Sequence, residues 1–499
     1  MQCASRWSWA VIAAGLMLAR AAGAGPVIRV PIDAQAPGQP FPHFWEQMFG
    51  SGRATLSLRA AYRRDVGLVK AVTDFRYVRF HGILDDDVGV YDGQADGQPL
   101  YNFTYIDEIY DGLLAAGVRP FVELSFMPRR LAARPTRQSF WYRPYVSPPK
   151  DYRRWDGLIR ALATHLEQRY GAPEVRQWYF EVWNEPNLDF WAGTPQQATY
   201  WTLYDHTARA LKSVDSGLRV GGPATAQTAW IGAFLRHTAR EHVPVDFVST
   251  HVYADDTSRN VFGHPGHVPR DQMVCRAVSK VHDEILASSY PHLPLIMSEF
   301  NATYMNSGLT DSVYMGPWLA ALASRCDGLT RMMSYWTFSD VFEEQGVPER
   351  PLWGGFGLVG IGSVPKPAYN AFAMLHQLGE TRIPDEQPGV LITRRRDGVI
   401  VVALWNPFVD GQQRGSHTFV LQLSSSPHPE RAEVQILDAA RGDPNAAYLK
   451  MGSPRYPTAA QFQQLRQAAR LPPPWHVPVA GGTVRVTVPE SGLALVTLH

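Results

Sequence analysis

Cysteine is scarce. The 499-residue chain has three, Cys3, Cys275 and Cys326, with no Cys-x-x-Cys pair and no His-Glu-x-x-His run, so neither a metal site nor a cofactor is expected. Charge of one sign is also lacking. Lys and Arg total 47 against 46 Asp and Glu, a net charge of +1, which leaves no electrostatic footprint for nucleic acid or an anionic membrane. Long apolar runs are absent beyond the N-terminus. There, Arg6 precedes the apolar stretch Trp7–Ala19, and Ala22-Gly23-Ala24 follows as a small-residue cleavage site. About 13 apolar residues fall short of the roughly 20 that a spanning helix needs. The pattern predicts a signal peptide over 1–24, export to the periplasm or beyond, and no membrane insertion after cleavage. Cys3 leaves with that segment. Cys275 and Cys326 remain open between a disulfide and two buried thiols.

Aromatic residues, by contrast, are plentiful, with 15 Trp and 21 Tyr. Sugar-stacking surfaces are one reading of them, but on composition alone large cores are the better one. From about Phe44 to Leu378, eight strand-like runs alternate with amphipathic stretches: "FWEQMFG", "FRYVRFHG", "VRPFVELSF", "WYFEVWNE", "LRVGGPA", "DFVSTHVY", "LPLIMSEF" and "RMMSYWTFSD". Eight alternations predict an α/β fold, a closed (β/α)8 TIM barrel over 41–380. One intervening helix should end at Gly171, and another should open with Thr194 as cap and Pro195 at its first position. Beyond about Thr381 the texture becomes strand after strand, with a hairpin at Asp397-Gly398 and one helical piece, "TAAQFQQLRQAAR". This predicts a β-sandwich over 381–499. An early strand in 25–40, "PVIRVPIDA", is placed to pair with it.

Two carboxylates stand at barrel strand ends. Glu185, in "WNEP", closes the fourth run, and Glu299, in "LIMSEF", closes the seventh. Both belong on the C-terminal rim, where barrel chemistry is done. Two carboxyl groups facing each other there suit glycoside hydrolysis, one protonated for the leaving oxygen and one ionised to attack the anomeric carbon. Like-charge proximity would help part their pKa values. Glu181 shares the strand parity of Glu185 but lies four residues earlier, roughly 13 Å down an extended strand. It is expected to be a buried structural acid.

In order along the chain, "RYVRFHGILDDDVGVY", "FVELSFMP", "WNEP", "VSTHVY", "YWTFSDVFEE", "GGFGL" and the C-terminal "KMGSPRYPTAAQFQQLRQAA" resemble the motifs of glycoside hydrolase family 39, the β-xylosidase and α-L-iduronidase family of clan A. The resemblance covers nearly the whole chain after the leader. It implies Glu185 as acid/base and Glu299 as nucleophile of a retaining, two-step mechanism. It further implies that Asn184 meets the sugar 2-hydroxyl, that Tyr253 orients Glu299 and that His251 lines the same site. His81, Glu343 and Glu344 would hold glycone hydroxyls, Trp336 would form a stacking wall, Phe126 would lie at the pocket edge, and Arg79 would lie near the nucleophile. Trp353 stands where the family often has His.

The function implied is an exo-acting β-D-xylosidase working on xylo-oligosaccharides or related glycosides. Glu343 and Glu344 would repel a uronate, which counts against an iduronide. The alternatives are another glycone such as an α-L-arabinopyranoside, an endo-acting enzyme on an exopolysaccharide, and, least favoured, a carbohydrate-binding protein without catalysis. The family's tendency to assemble leaves a homo-oligomer open.

Overall fold

The computed structural model describes residues 25–93, 98–406, 415–424 and 429–499. The leader expected over 1–24 lies outside the described residues. All eight runs contribute a strand to one closed parallel barrel: β1 Met48–Ser51, β2 Tyr77–Phe80, β3 Arg119–Glu123, β4 Tyr179–Glu181, β5 Arg219–Thr225, β6 Phe247–Tyr253, β7 Leu295–Asn301 and β8 Met332–Tyr335, paired in sequence order with β8 closing on β1. Parallel neighbours require long crossovers. Seven helices supply them, α1 Ala60–Lys70, α2 Thr104–Ala115, α3 Tyr152–Tyr170, α4 Gln196–Val214, α5 Ile231–Glu241, α6 Arg270–Leu286 and α7 Met315–Arg325, and α8 Pro367–Leu375 follows the last strand. Helix α3 stops at Gly171, whose φ of 82° is open to glycine. Helix α4 starts one residue later than its Thr-Pro signal suggests, with Pro195 extended in the cap position.

The barrel interior changes character along its axis. Its N-terminal end is plugged by Met48, Phe121, Tyr179, Phe247, Ile296 and Met332. One inward step further up, the same strands present Arg79, Glu123 and Glu181, all fully buried. The apolar floor closes the barrel from below, so the charged groups above it depend on partners within the protein.

Beyond the barrel, Gln39–Pro40, Thr381–Ile383, Val390–Arg394, Ile400–Asn406, Gly492–Leu498, Ala432–Leu437 and Trp475–Val477 form a seven-stranded sheet in that order. A second sheet runs Val27–Ile32, His417–Leu423, Thr483–Val488, its first pair parallel. Alternation explains the packing. Ile392, Val402, Leu404 and Val496 face the second sheet, whereas Leu391, Val401, Ala403 and Leu495 belong to the barrel's own core. Burial on both faces is why "IVVALWN" reads as an unbroken apolar run. The hairpin turns at Asp397-Gly398, Gly398 having φ 90°. Among the described residues two helices, not one, interrupt these strands, Asn445–Lys450 and the expected Ala459–Ala468, the latter opened by a capping box between Thr458 and Gln461.

Cys275 on α6 and Cys326, just past α7, form a disulfide with a Cα–Cα distance of 5.1 Å. It ties two adjacent barrel helices. Replacing both cysteines by serine should lower the unfolding free energy by about 2–4 kcal/mol. Urea denaturation of the variant and the parent, each without reductant, measures this.

Candidate active site

Four strand ends converge above the apolar floor. Arg79, two residues above the partly buried Tyr77 on β2, sits at their centre with no solvent exposure. Its Nε donates to Glu181 Oε2 at 2.6 Å, Nη1 to Glu299 Oε1 at 2.6 Å and Nη2 to Asn184 Oδ1 at 2.9 Å. Nη2 also lies 2.7 Å from Glu123 Oε2. A single guanidinium therefore binds carboxylates from β3, β4 and β7. Burial works against ionisation of Glu123, but the charges of Arg79 and His81 hold its carboxyl below the usual range. Ser125 also donates to it.

Glu185 reaches the site by leaving the strand. Pairing on β4 stops at Glu181, and Trp183 and Glu185 take positive φ values of 74° and 41°. The Glu185 N–H donates to Ala224 O at 2.8 Å. The extended spacing between Glu181 and Glu185 does not persist, because the chain coils over the barrel mouth. Glu181 is a buried structural acid by its contacts, bound to Arg79 and fully enclosed. Glu299 needs a different device. Simple alternation from the interior residue Ile296 would point Glu299 outward. The ladder slips between Thr250 and His251 on one side and between Met297 and Phe300 on the other, so Met297 and Phe300 both join the outer core. This bulge turns Glu299 inward. Arg79 and the Tyr253 hydroxyl, 2.6 Å from Oε2, then occupy its two oxygens.

His251 bridges the pair. Its Nδ1 lies 3.0 Å from Glu185 Oε1 and 3.6 Å from Glu299 Oε1. An oxygen of Glu185, an oxygen of Glu299 and this ring nitrogen lie within 4.8 Å of one another. The environments of the two glutamates differ. Burial pushes the Glu185 carboxyl up to about 7, with Glu123 and Asp189 adding and His81 and Arg79 opposing. Desolvation is thus the leading cause, ahead of like-charge repulsion. Burial also lowers His251 to about 4, leaving a neutral imidazole near pH 7.

His81 behaves oppositely. Burial disfavours its charge, but Glu123, at 2.8 Å from Nδ1, together with Glu344 and Glu299, raises it to about 10. Its Nε2 faces Glu344 Oε1 at 3.4 Å, and its ring lies 4.8 Å from that of Trp336. Trp336 and Tyr253 form an aromatic wall with Phe342, Phe356 and Trp353. The loop carrying Trp353 is pinned by charge. Gly354 and Gly357 N–H groups donate to Asp311 and Asp340, each at 2.7 Å. Buried Lys366 joins both acids, also at 2.7 Å. Gly354 has φ 78°, and a Cβ there would come within 2.8 Å of the Ser307 backbone, so the double glycine is a packing requirement.

Two residues sit elsewhere than expected. Glu343 does not face the sugar position. Its oxygens are taken by Arg53 at 2.7 Å and Arg59 at 2.5 Å, and of the Glu-Glu pair it is Glu344 that meets His81. Phe126 is fully buried behind His81, at 6.0 Å between rings, and not at the pocket edge. Glu123 and Arg53 carry much of the site yet were not anticipated. A charged residue inside the apolar run "FVELSF" was the available signal for Glu123. Asn301, in an Asn-Ala-Thr sequon, is fully buried and donates to the Trp336 carbonyl, so it is closed to glycosylation in the folded chain.

The family description that matches this chain is glycosyl hydrolases family 39, over residues 28–481. A β-xylosidase of Geobacillus stearothermophilus is 38% identical over 454 residues, covering 89% of each chain. One from Caldicellulosiruptor saccharolyticus is 38% identical over 444 residues, covering 86% of this chain and 88% of its own. The crystal structure of a monomeric β-xylosidase from Caulobacter crescentus CB15 superposes with a TM-score of 0.85 at 33% identity, covering 95% of this chain and 99% of that one.

Replacing Arg79 by Met should destabilise the fold by about 3–5 kcal/mol, because three buried carboxylates lose their shared cation. Chemical denaturation of the variant at neutral pH checks this.

Proposed function

The chain belongs to glycosyl hydrolases family 39, and from that membership we propose that it is an exported, retaining exo-β-D-xylosidase that removes xylose from xylo-oligosaccharides. The observation that carries the retaining mechanism is the approach of Glu185 and Glu299 oxygens to within 4.8 Å. A retaining enzyme needs carboxyl groups about 5–5.5 Å apart, whereas an inverting one leaves about 6.5–9.5 Å for a water.

In this reading Glu299 is the nucleophile. Two donors fix its oxygens, so it is aimed before the substrate arrives. Glu185 holds its proton up to about pH 7 and gives it to the leaving oxygen. Once the glycosyl-enzyme forms, the same carboxylate takes a proton from water for the second displacement. His251 lies 3.0 Å from Glu185 as a neutral ring and sets the direction of that carboxyl. Arg79 donates to Asn184 Oδ1, which leaves Nδ2 to donate to the sugar 2-hydroxyl, a contact that strengthens in the transition state. His81 and Glu344 take the remaining glycone hydroxyls, and Trp336 walls the ring.

A neutral glycone is favoured over a uronate by charge. Arg79 and Arg53 are already committed to carboxylates, and the Glu344 carboxyl would oppose another. Burial of both catalytic carboxyls, 9% and 4% exposed, supports a pocket and exo action. The choice of xylose is supported by the similarity to the β-xylosidases of Geobacillus stearothermophilus, Caldicellulosiruptor saccharolyticus and Caulobacter crescentus. Export is supported by the leader pattern in 1–24 and by the Cys275–Cys326 disulfide, which suits an oxidising compartment.

Aryl β-xyloside, α-arabinopyranoside, α-iduronide and β-glucoside, offered to the purified chain, test the substrate. The xyloside should give the largest kcat/KM, and preference for any other would replace xylose in this reading. Glu299→Ala should abolish turnover. Glu185→Ala should retain the first step on a dinitrophenyl xyloside and slow the second, with azide restoring the rate. The sign of the pH effect follows from Glu185. Protonated below about 7 and lost above it, its acid form makes kcat/KM for xylobiose fall as pH rises through about 7. Glu185→Ala with the dinitrophenyl substrate should lack that alkaline limb.

A further inference from the structure

We propose that Trp141 is a preset stacking platform for the sugar on the leaving-group side of the scissile bond, held in place by Arg53 and, through it, by Glu343. The proposal rests on the glycosidase reading above and adds a leaving-group site to it.

The segment between β3 and α3 projects from the barrel's C-terminal rim as a narrow excursion, bridged at Ala132–Pro149 and Arg137–Tyr145. Its tip is Phe140-Trp141-Tyr142, closed by Arg143 at φ 51° with its N–H on Phe140 O. Two of the three rings turn inward. Phe140 stacks over His81 at 6.1 Å, and Tyr142 packs 6.5 Å from Phe126. Trp141 turns outward and is 56% exposed.

An exposed indole is usually loose; this one is not. The backbone N–H of Trp141 donates to Glu344 O at 2.8 Å, which ties the loop tip beneath the ring to the residue that meets His81. The Arg53 guanidinium lies 5.9 Å from its ring centroid and 4.8 Å from that of Tyr142. Arg53 is held by Asp87 at 2.8 Å and by Glu343 at 2.7 Å, and Glu343 is held in turn by Arg59. This accounts for Glu343, which is buried beside the site without facing the glycone. It braces the cation that backs the platform. A rigid aromatic surface binds at little cost in side-chain entropy. Its open side suits the C–H face of a pyranose.

The direction follows from burial. The glycone end, between His81, Trp336 and Glu299, is enclosed. Trp141 lies outward of Glu344, so a sugar that reaches it is on the far side of the bond being cut.

The test compares β-D-xylosyl fluoride, whose leaving group is one atom, with xylotriose. For Trp141→Ala, the ratio of kcat/KM on xylotriose to kcat/KM on the fluoride should fall about tenfold, the size of one aromatic stacking contact, and the loss should appear in KM. Trp141→Phe should keep most of the ratio. Arg53→Gln should lower it about threefold, again through KM, because the ring loses its backing. An unchanged ratio in Trp141→Ala would overturn the proposal, whether both substrates suffer equally or neither does. A shift in oligomeric state in place of selectivity would overturn it too and assign Trp141 to a contact between copies. Wild-type protein inert toward xylosyl fluoride would instead defeat the glycone reading.

Discussion

The guanidinium of Arg79 is the interaction on which the active centre depends. It is fully buried above an apolar floor and touches Glu123, Glu181 and Glu299, contributed by three different strands, together with Asn184 from the turn after β4. Each of those carboxylates would be costly to bury alone. Around one planar cation they become mutually necessary, and the fork geometry of arginine fixes their directions. The position of Glu299, the orientation of the Asn184 amide and the charge on His81 follow from this one cluster.

Glu185 stands at the edge of the same field. Arg79 and His81 favour its anion, while burial favours its neutral form, and burial has the larger effect. Two glutamates with oxygens within 4.8 Å of each other thus occupy different chemical environments. One is saturated with donors. The other faces a neutral imidazole and little water. Such a division of roles is what double displacement needs.

Around this rigid centre, the rim is braced by charge at a second level. Lys366 with Asp311 and Asp340 holds the loop bearing Trp353, and Arg53 with Asp87 and Glu343 backs Trp141. Loops that would otherwise move are made part of the scaffold by buried or half-buried ion pairs. The pocket's aromatic surfaces are therefore set before a ligand arrives.

Much of this was legible in the order of residues. The eight strands follow from local alternation and β-branched content, and the sheet after Thr381 from hairpin and strand spacing, because these depend on neighbours a few positions apart. "WNEP" and "LIMSEF" marked Glu185 and Glu299 as strand-end acids. What the order of residues could not determine was direction. The slip in the β6–β7–β8 ladder that turns Glu299 inward depends on how three strands pack together, and the left-handed residues Trp183 and Glu185 depend on a bond to Ala224 across the rim. Adjacent Glu343 and Glu344 read alike along the chain, yet Arg53 and Arg59 claim one and His81 the other. The partners of those acids lie hundreds of residues away in the chain, so only the closed barrel decides which charge meets which. Residue types and their periodicity specified the elements by themselves; the pairing of buried charges was settled by tertiary structure, because desolvation makes each buried charge answer to whatever the fold brings beside it.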